Sequence, residues 1–171
     1  MIRLLHRYSK HRLAWLLLAF TASSLELVVL YFQHILLIKP CVLCIYQRCA
    51  LYGIISAGLI GALFPKTLLR FVSLIIWLYS AWKGLYLAIK HTNIYLNPSP
   101  FVTCEFFVNF PSWLPLDKYL PSIFSINGDC TVRQGYFLSL QIPQWMVIIF
   151  SAYLAVAVIV FFVQFFPPRK T

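Results

Sequence analysis

The chain has 171 residues, of which 61% are hydrophobic and only 11% charged. Soluble domains carry roughly 25% charged residues, so an ordinary water-soluble domain is excluded, and the length allows a single domain spanning residues 1–171. The formal net charge of +10 would suit a nucleic-acid partner. However, Arg3, Arg7, Lys10, Arg12, Lys66, Arg70, Arg169 and Lys170 lie in short segments flanking apolar runs, a topology pattern rather than a phosphate-binding stripe. No nucleic acid is expected.

The first apolar run covers about residues 13–32. Its basic leader resembles that of a signal peptide, but the run continues past Ser24 to Phe32 and outlasts a signal core. It is read as a retained transmembrane helix. Glu26 sits inside it. An intramembrane carboxylate is by default a functional candidate, against the plainer reading of a hydrogen bond between helices. His34 follows as a boundary histidine.

The second run covers about residues 45–64 and ends at Pro65. Gly53, Ala57 and Gly61 recur every four residues, a spacing that lets a neighbouring helix approach closely. Cys49 lies on the same stripe and is read as a small packing residue. The third run covers about residues 71–89 and carries Lys83, which is open to the same two readings as Glu26. His91 lies where this run meets the next loop. The fourth run covers about residues 144–163, with Pro143 before it and Pro167 after it. Each run is long enough to span roughly 30 Å of hydrocarbon. The expected fold is therefore all-α: a four-transmembrane-helix bundle with a long outer loop, about residues 90–143, between helices 3 and 4.

That loop holds Pro98, Pro100, Pro111, Pro115, Pro121 and Pro143, which argue against long helices. Its aromatic content argues against free disorder. Short pieces lying on the membrane surface are expected. The basic segments place both termini and the Lys66–Arg70 turn on the inner side, and the stretches 33–44 and 90–143 outside.

Four of the five cysteines, Cys41, Cys44, Cys104 and Cys130, fall on the outer side, where disulfides persist. Cys41-Val42-Leu43-Cys44 is a C-x-x-C at a helix start, where unpaired N–H groups and the helix dipole favour a thiolate. Arg48 follows Cys44 by four residues, on the same helical face, and its permanent charge suits a thiolate or a reduced quinone oxygen. A c-type haem site would need His after the second Cys, and Ile45 stands there. A zinc site would need a four-ligand set that Cys104 and Cys130 would have to complete. An oxidising compartment favours disulfides instead, so no metal is expected. A disulfide between Cys41 and Cys44 closes too small a loop to stabilise much. Cys104 and Cys130 would close a loop of about 25 residues, worth roughly 3–4 kcal/mol as a staple. A second, exchangeable disulfide is the other reading, and the residues alone leave both open.

Together, Lys39-Pro40-Cys41-Val42-Leu43-Cys44-Ile45-Tyr46-Gln47-Arg48, Pro98-Ser99-Pro100-Phe101 leading to Cys104, Trp113-Leu114-Pro115-Leu116-Asp117-Lys118, Gly128-Asp129-Cys130 and Pro143-Gln144-Trp145 resemble the DsbB family of disulfide bond formation proteins. The likeness runs through nearly the whole chain. It implies a bacterial inner-membrane thiol oxidoreductase with its active cysteines in the periplasm. The thiolate of a DsbA-like thioredoxin-fold partner would attack Cys104 and form a mixed disulfide, and Cys130 would pass electrons to Cys41. Cys44 would face ubiquinone or menaquinone drawn from the membrane quinone pool. Arg48 would assist, and His91 would line the quinone site. The DsbA–DsbB–quinone pairing is a known feature of the bacterial periplasm, not something these residues establish by spacing. Two rivals remain: a tetra-spanning structural protein with a disulfide-stapled outer loop, and a vitamin K reductase-like quinone reductase.

Overall fold

A computed structural model describes residues 11–65, 68–97, 119–124, 128, 136–137 and 140–165. Four long helices dominate: α1 (Arg12–His34), α2 (Val42–Leu63), α3 (Leu69–Leu96) and, after the loop, α5 (Ile142–Phe165). All four are long and apolar enough to cross a membrane. Between α3 and α5 lie a single-turn helix α4 (Pro121–Phe124) and a two-residue antiparallel pair, β1 (Tyr136–Phe137) with β2 (Leu140–Gln141). The hydropathy runs thus fold as the multi-pass membrane bundle that the sequence implies.

The chain runs up and down. The end of α1 and the start of α2 share one end of the bundle with the end of α3 and the start of α5. This is called the cysteine end below. The short connector from α1 to α2 reverses direction through Leu37, whose left-handed φ of 53° is uncommon for a residue with a side chain. Pro143 falls in the first turn of α5, where the missing N–H costs no helical bond.

Helix α1 packs on α2, α2 on α3 and α3 on α5. Small residues set the close approaches. A Cβ on Gly53 would run into the Ser80 side chain of α3, and one on Gly61 into the Trp15 ring of α1. The expected stripe therefore serves two neighbours. Gly58 and Gly84, outside that stripe, do the same work: Gly58 lies against the Ala19 backbone, and Gly84 makes room for the Phe150 ring. The core is built around Trp15, Leu51, Ile54, Leu74, Trp77 and Phe150. Helices α1 and α5 leave a cavity of about 560 Å³ between them, lined by Trp15, Leu18, Trp77 and Val156 among others. Tyr153 of α5 donates a hydrogen bond to Thr21 of α1 across it, at 3.0 Å.

One boundary is corrected. Helix α3 continues seven residues beyond the expected end at 89, so the loop begins after Leu96 rather than at 90. The polar run Lys90–Asn93 ends the apolar stretch but not the helix, because one face stays buried through Ala88, His91 and Ile94. Those positions are three residues apart and share a helical side.

Candidate functional site

The site begins with how α2 starts. Cys41 is its N-cap, with extended backbone (φ −90°, ψ 170°), and its Sγ accepts the backbone N–H of Cys44 at 3.4 Å. This is the N-cap arrangement with sulfur in place of the usual oxygen. The same turn brings the two sulfurs to 3.0 Å, as free thiols. Cys41 is 1% exposed, and Leu43 and Ile94 pack beside it.

Helix α3 supplies the third member. His91 is buried, and its Nε2 lies 3.7 Å from Cys41 Sγ. Its Nδ1 faces the amide nitrogen of Gln47 at 3.4 Å. An amide nitrogen only donates, so Nδ1 accepts and the ring proton sits on Nε2, directed at the sulfur. Cys41 is thereby lowered from 9.0 to about 5, first by the hydrogen bond from the Cys44 thiol and then by His91, against burial, which pushes it up. Cys41 is a thiolate at neutral pH, in a setting that stabilises it from two sides.

Arg48 sits one turn below Cys44 and is 1% exposed, the largest fully buried side chain described. Its Nε donates to Glu26 Oε1 at 2.8 Å, and its Nη1 donates to Gln33 Oε1 and to the carbonyl oxygen of Ile123 at 2.8 Å. Nη2 lies 2.7 Å from the same Glu26 oxygen but is not aligned to share a hydrogen with it. Tyr52 also donates to Glu26 Oε1, at 3.1 Å. The other carboxylate oxygen, Oε2, has no hydrogen-bond partner among the described residues. Of the two readings open for Glu26, the bond between helices is the one observed. Lys83 is half-buried, with its Nζ 5.2 Å from the Trp82 ring centroid and 5.9 Å from that of Tyr79.

Two loop segments dock on this end. Phe124 packs against the Tyr52 ring, with centroids 6.0 Å apart, and Ile123 accepts from Arg48 as above. The backbone N–H of Gly128 donates to the carbonyl oxygen of Pro40 at 3.1 Å, next to Cys41. A Cβ on Gly128 would meet the Lys39 carbonyl oxygen, so only glycine allows this approach. Cys104 and Cys130 lie outside the described residues, as does the aromatic stretch 98–118.

The structure therefore brings Cys41, Cys44 and His91 together and places Arg48 on the adjoining turn of α2. The partners were not foreseen from sequence, among them Gln47 behind His91 and Gln33 and Glu26 beside Arg48. An i, i+4 relation from His91 or Arg48 finds none of them, because these contacts cross between helices. The cavity between α1 and α5 does not reach the sulfurs. Its lining residue nearest the cysteine end on α1 is Leu25, next to Glu26.

Comparison with known proteins bears on the same residues. Residues 11–160 match the family described as "Disulfide bond formation protein DsbB". The chain is 71% identical over 170 residues to the disulfide bond formation protein B of Sodalis glossinidius, covering 99% of this chain and 97% of that relative. It is 59% identical over 170 residues to the protein of that name from Pectobacterium atrosepticum and 58% to that from Salmonella typhimurium, with the same coverage.

Proposed function

The chain belongs to the DsbB family of disulfide bond formation proteins, and from that premise we propose that it oxidises a periplasmic DsbA-like thiol protein and passes the electrons to a membrane quinone. The observation that carries this reading is the buried Cys41 sulfur, held between the Cys44 sulfur and His91 Nε2 at a helix N-terminus.

A low-pKa thiolate stabilises the dithiol form and makes the corresponding disulfide a stronger oxidant, as it does in DsbA itself at roughly −120 mV. Recharging such a partner needs an acceptor at least as oxidising. In the proposed relay a partner thiolate attacks Cys104 of a Cys104–Cys130 disulfide, and Cys130 leaves as thiolate. The partner's second thiol resolves the mixed disulfide and leaves oxidised. The Cys130 thiolate then attacks Cys41 of a Cys41–Cys44 disulfide, expelling Cys44. Cys104 closes back on Cys130 and releases Cys41. Two electrons have reached the helix pair, and the thiolate left on Cys41 meets donors already in place. Gly128 supports this exchange: it docks on Pro40, and Cys130 follows it by two residues in sequence.

The donor set at this end suits a quinone. Nη2 of Arg48 is a buried N–H group, paired in charge with Glu26 at 2.7 Å, that has no aligned hydrogen-bond acceptor among the described residues, and Cys44 is the less buried of the two cysteines by residue exposure. These two residues would hold a quinone carbonyl next to sulfur. When bound, ubiquinone or menaquinone supplies a two-electron, two-proton acceptor while the disulfide re-forms. Glu26 anchors the guanidinium from α1, and Gln33 and Ile123 fix its direction. We assign His91 to Cys41 rather than to the quinone, since its Nε2 proton is already directed at that sulfur. The orientation that keeps the basic termini inside sets the cysteine end on the periplasmic face of the inner membrane, where disulfides persist.

The test mixes the purified protein with reduced DsbA-like partner and ubiquinone and follows quinone absorbance. Stoichiometric quinone loss, matched by partner disulfide, is expected. Partner that stays reduced while quinone is unchanged would defeat the reading.

A further inference from the structure

We propose that, in its dithiol form, the Cys41–Cys44–His91 cluster binds one zinc ion and is thereby held out of the redox cycle. The inference rests on the dithiol state of the pair and not on the quinone reading.

Zinc takes thiolate and imidazole ligands in tetrahedral geometry. The three donor atoms all lie within 4.8 Å of one another. Zn–S of about 2.3 Å and Zn–N of about 2.05 Å put a sulfur and a nitrogen roughly 3.6 Å apart on a tetrahedral ion. Cys41 Sγ and His91 Nε2 already stand at 3.7 Å. Two sulfurs on the same ion stand roughly 3.8 Å apart, so the present 3.0 Å contact must open by a small side-chain rotation. Cys44, the less buried residue of the two by exposure, is the one that would turn. A fourth position stays free for water, as in exchangeable zinc sites.

Charge favours the occupant. Two thiolates, a neutral imidazole and a divalent ion sum to zero, which suits the apolar wall of Leu43, Leu87 and Ile94. An isolated buried charge would not be tolerated there. Zinc entry displaces whatever thiol protons the pair still holds and moves no electrons. Imidazole bound through Nε2 carries its proton on Nδ1. Gln47 lies against Nδ1 and can present its carbonyl oxygen by turning its amide over, the outer-sphere contact that metal-bound histidines usually have. Held about 3.8 Å apart on the ion, the sulfurs cannot reach the S–S distance of about 2.05 Å. Oxidation is therefore blocked until zinc leaves.

The experiment uses the full chain carrying Cys104→Ser and Cys130→Ser, so that only the helix pair and Cys49 remain. The pair is reduced with a phosphine, and Zn²⁺ is titrated against a chromogenic chelator. Cd²⁺ is titrated in parallel to read the thiolate-to-metal charge-transfer band. One ion per reduced chain is expected, with release of protons on binding and loss of the ion once the pair is oxidised. His91→Ala should weaken binding at least about tenfold, and Gln47→Ala about 10- to 100-fold, while circular dichroism confirms the helices. Uptake that is absent, that survives oxidation of the pair or that is unchanged in His91→Ala overturns the site. Loss of quinone turnover in the parent protein would leave these readings untouched, so the two proposals fail separately.

Discussion

Helix α2 carries two buried polar contacts at the same end of the bundle, and they are built differently. Toward α1, the permanently charged guanidinium of Arg48 meets the Glu26 carboxyl, with Gln33, Tyr52 and Ile123 completing the hydrogen bonds. Toward α3, Cys41 and Gln47 both meet His91, and Cys41 and His91 are groups that can ionise or, for the sulfur, change redox state. The first contact cannot be switched without leaving a charge stranded in an apolar bundle. The second can gain or lose a proton, or two electrons, and stay satisfied.

The sharpest break is Cys41→Ser. It should reduce partner oxidation to background and leave thermal unfolding in detergent nearly unchanged, since serine keeps the N-cap. Coupled activity and melting measurements check both halves. A large fall in melting temperature would show that the sulfur is structural.

Next in size is Arg48→Ala. Removing one partner of a buried pair strands the other and costs about 3–5 kcal/mol. The paired replacement Glu26→Leu with Arg48→Met should recover most of that stability without recovering quinone reduction. Denaturation of both variants, each assayed with quinone, separates the two roles. Full quinone turnover in the paired variant would remove Arg48 from the redox site.

His91→Ala acts through pH. Cys41 is depressed from 9.0 to about 5, so its thiolate stabilises the folded dithiol form in full above about pH 9. That contribution is lost as pH falls through about 5. In His91→Ala the midpoint for Cys41 alkylation should move up from about 5 toward 9, and the pair should become less oxidising near pH 7. Rates of alkylation across pH give the midpoint directly. An unmoved midpoint would assign the low value to Cys44 and the helix start alone.

The smallest effect belongs to Gly128→Ala. The added Cβ meets the Lys39 carbonyl oxygen and should loosen the docked segment. Electron transfer from the loop to Cys41 should slow several-fold, while reduction of Cys41–Cys44 by small thiols is unaffected. Stopped-flow reduction by partner and by dithiothreitol makes that distinction, and equal slowing of both would place the defect in the helix pair.

Much of this was readable from composition and spacing. Four apolar runs set four helices because hydrocarbon leaves a backbone few alternatives, and the C-x-x-C was legible at a helix start, where the structure makes Cys41 the N-cap. What the sequence could not hold was contact between helices. Glu26 and Arg48 are 22 residues apart and Cys41 and His91 are 50 apart, and no local period links such positions. The i, i+4 rule set Arg48 beside Cys44, whereas packing turned its described hydrogen bonds to α1 and the loop. The end of α3 was misplaced for the same reason: hydropathy measures transfer to lipid, while the helix through Leu96 is held by burial against its neighbours. Sequence alone determined which segments enter the membrane and which thiols stand at its edge, because those depend on local chemistry. Only tertiary structure decided which charge is neutralised and which sulfur is ionised, because both depend on which side chain from another helix comes within hydrogen-bond reach.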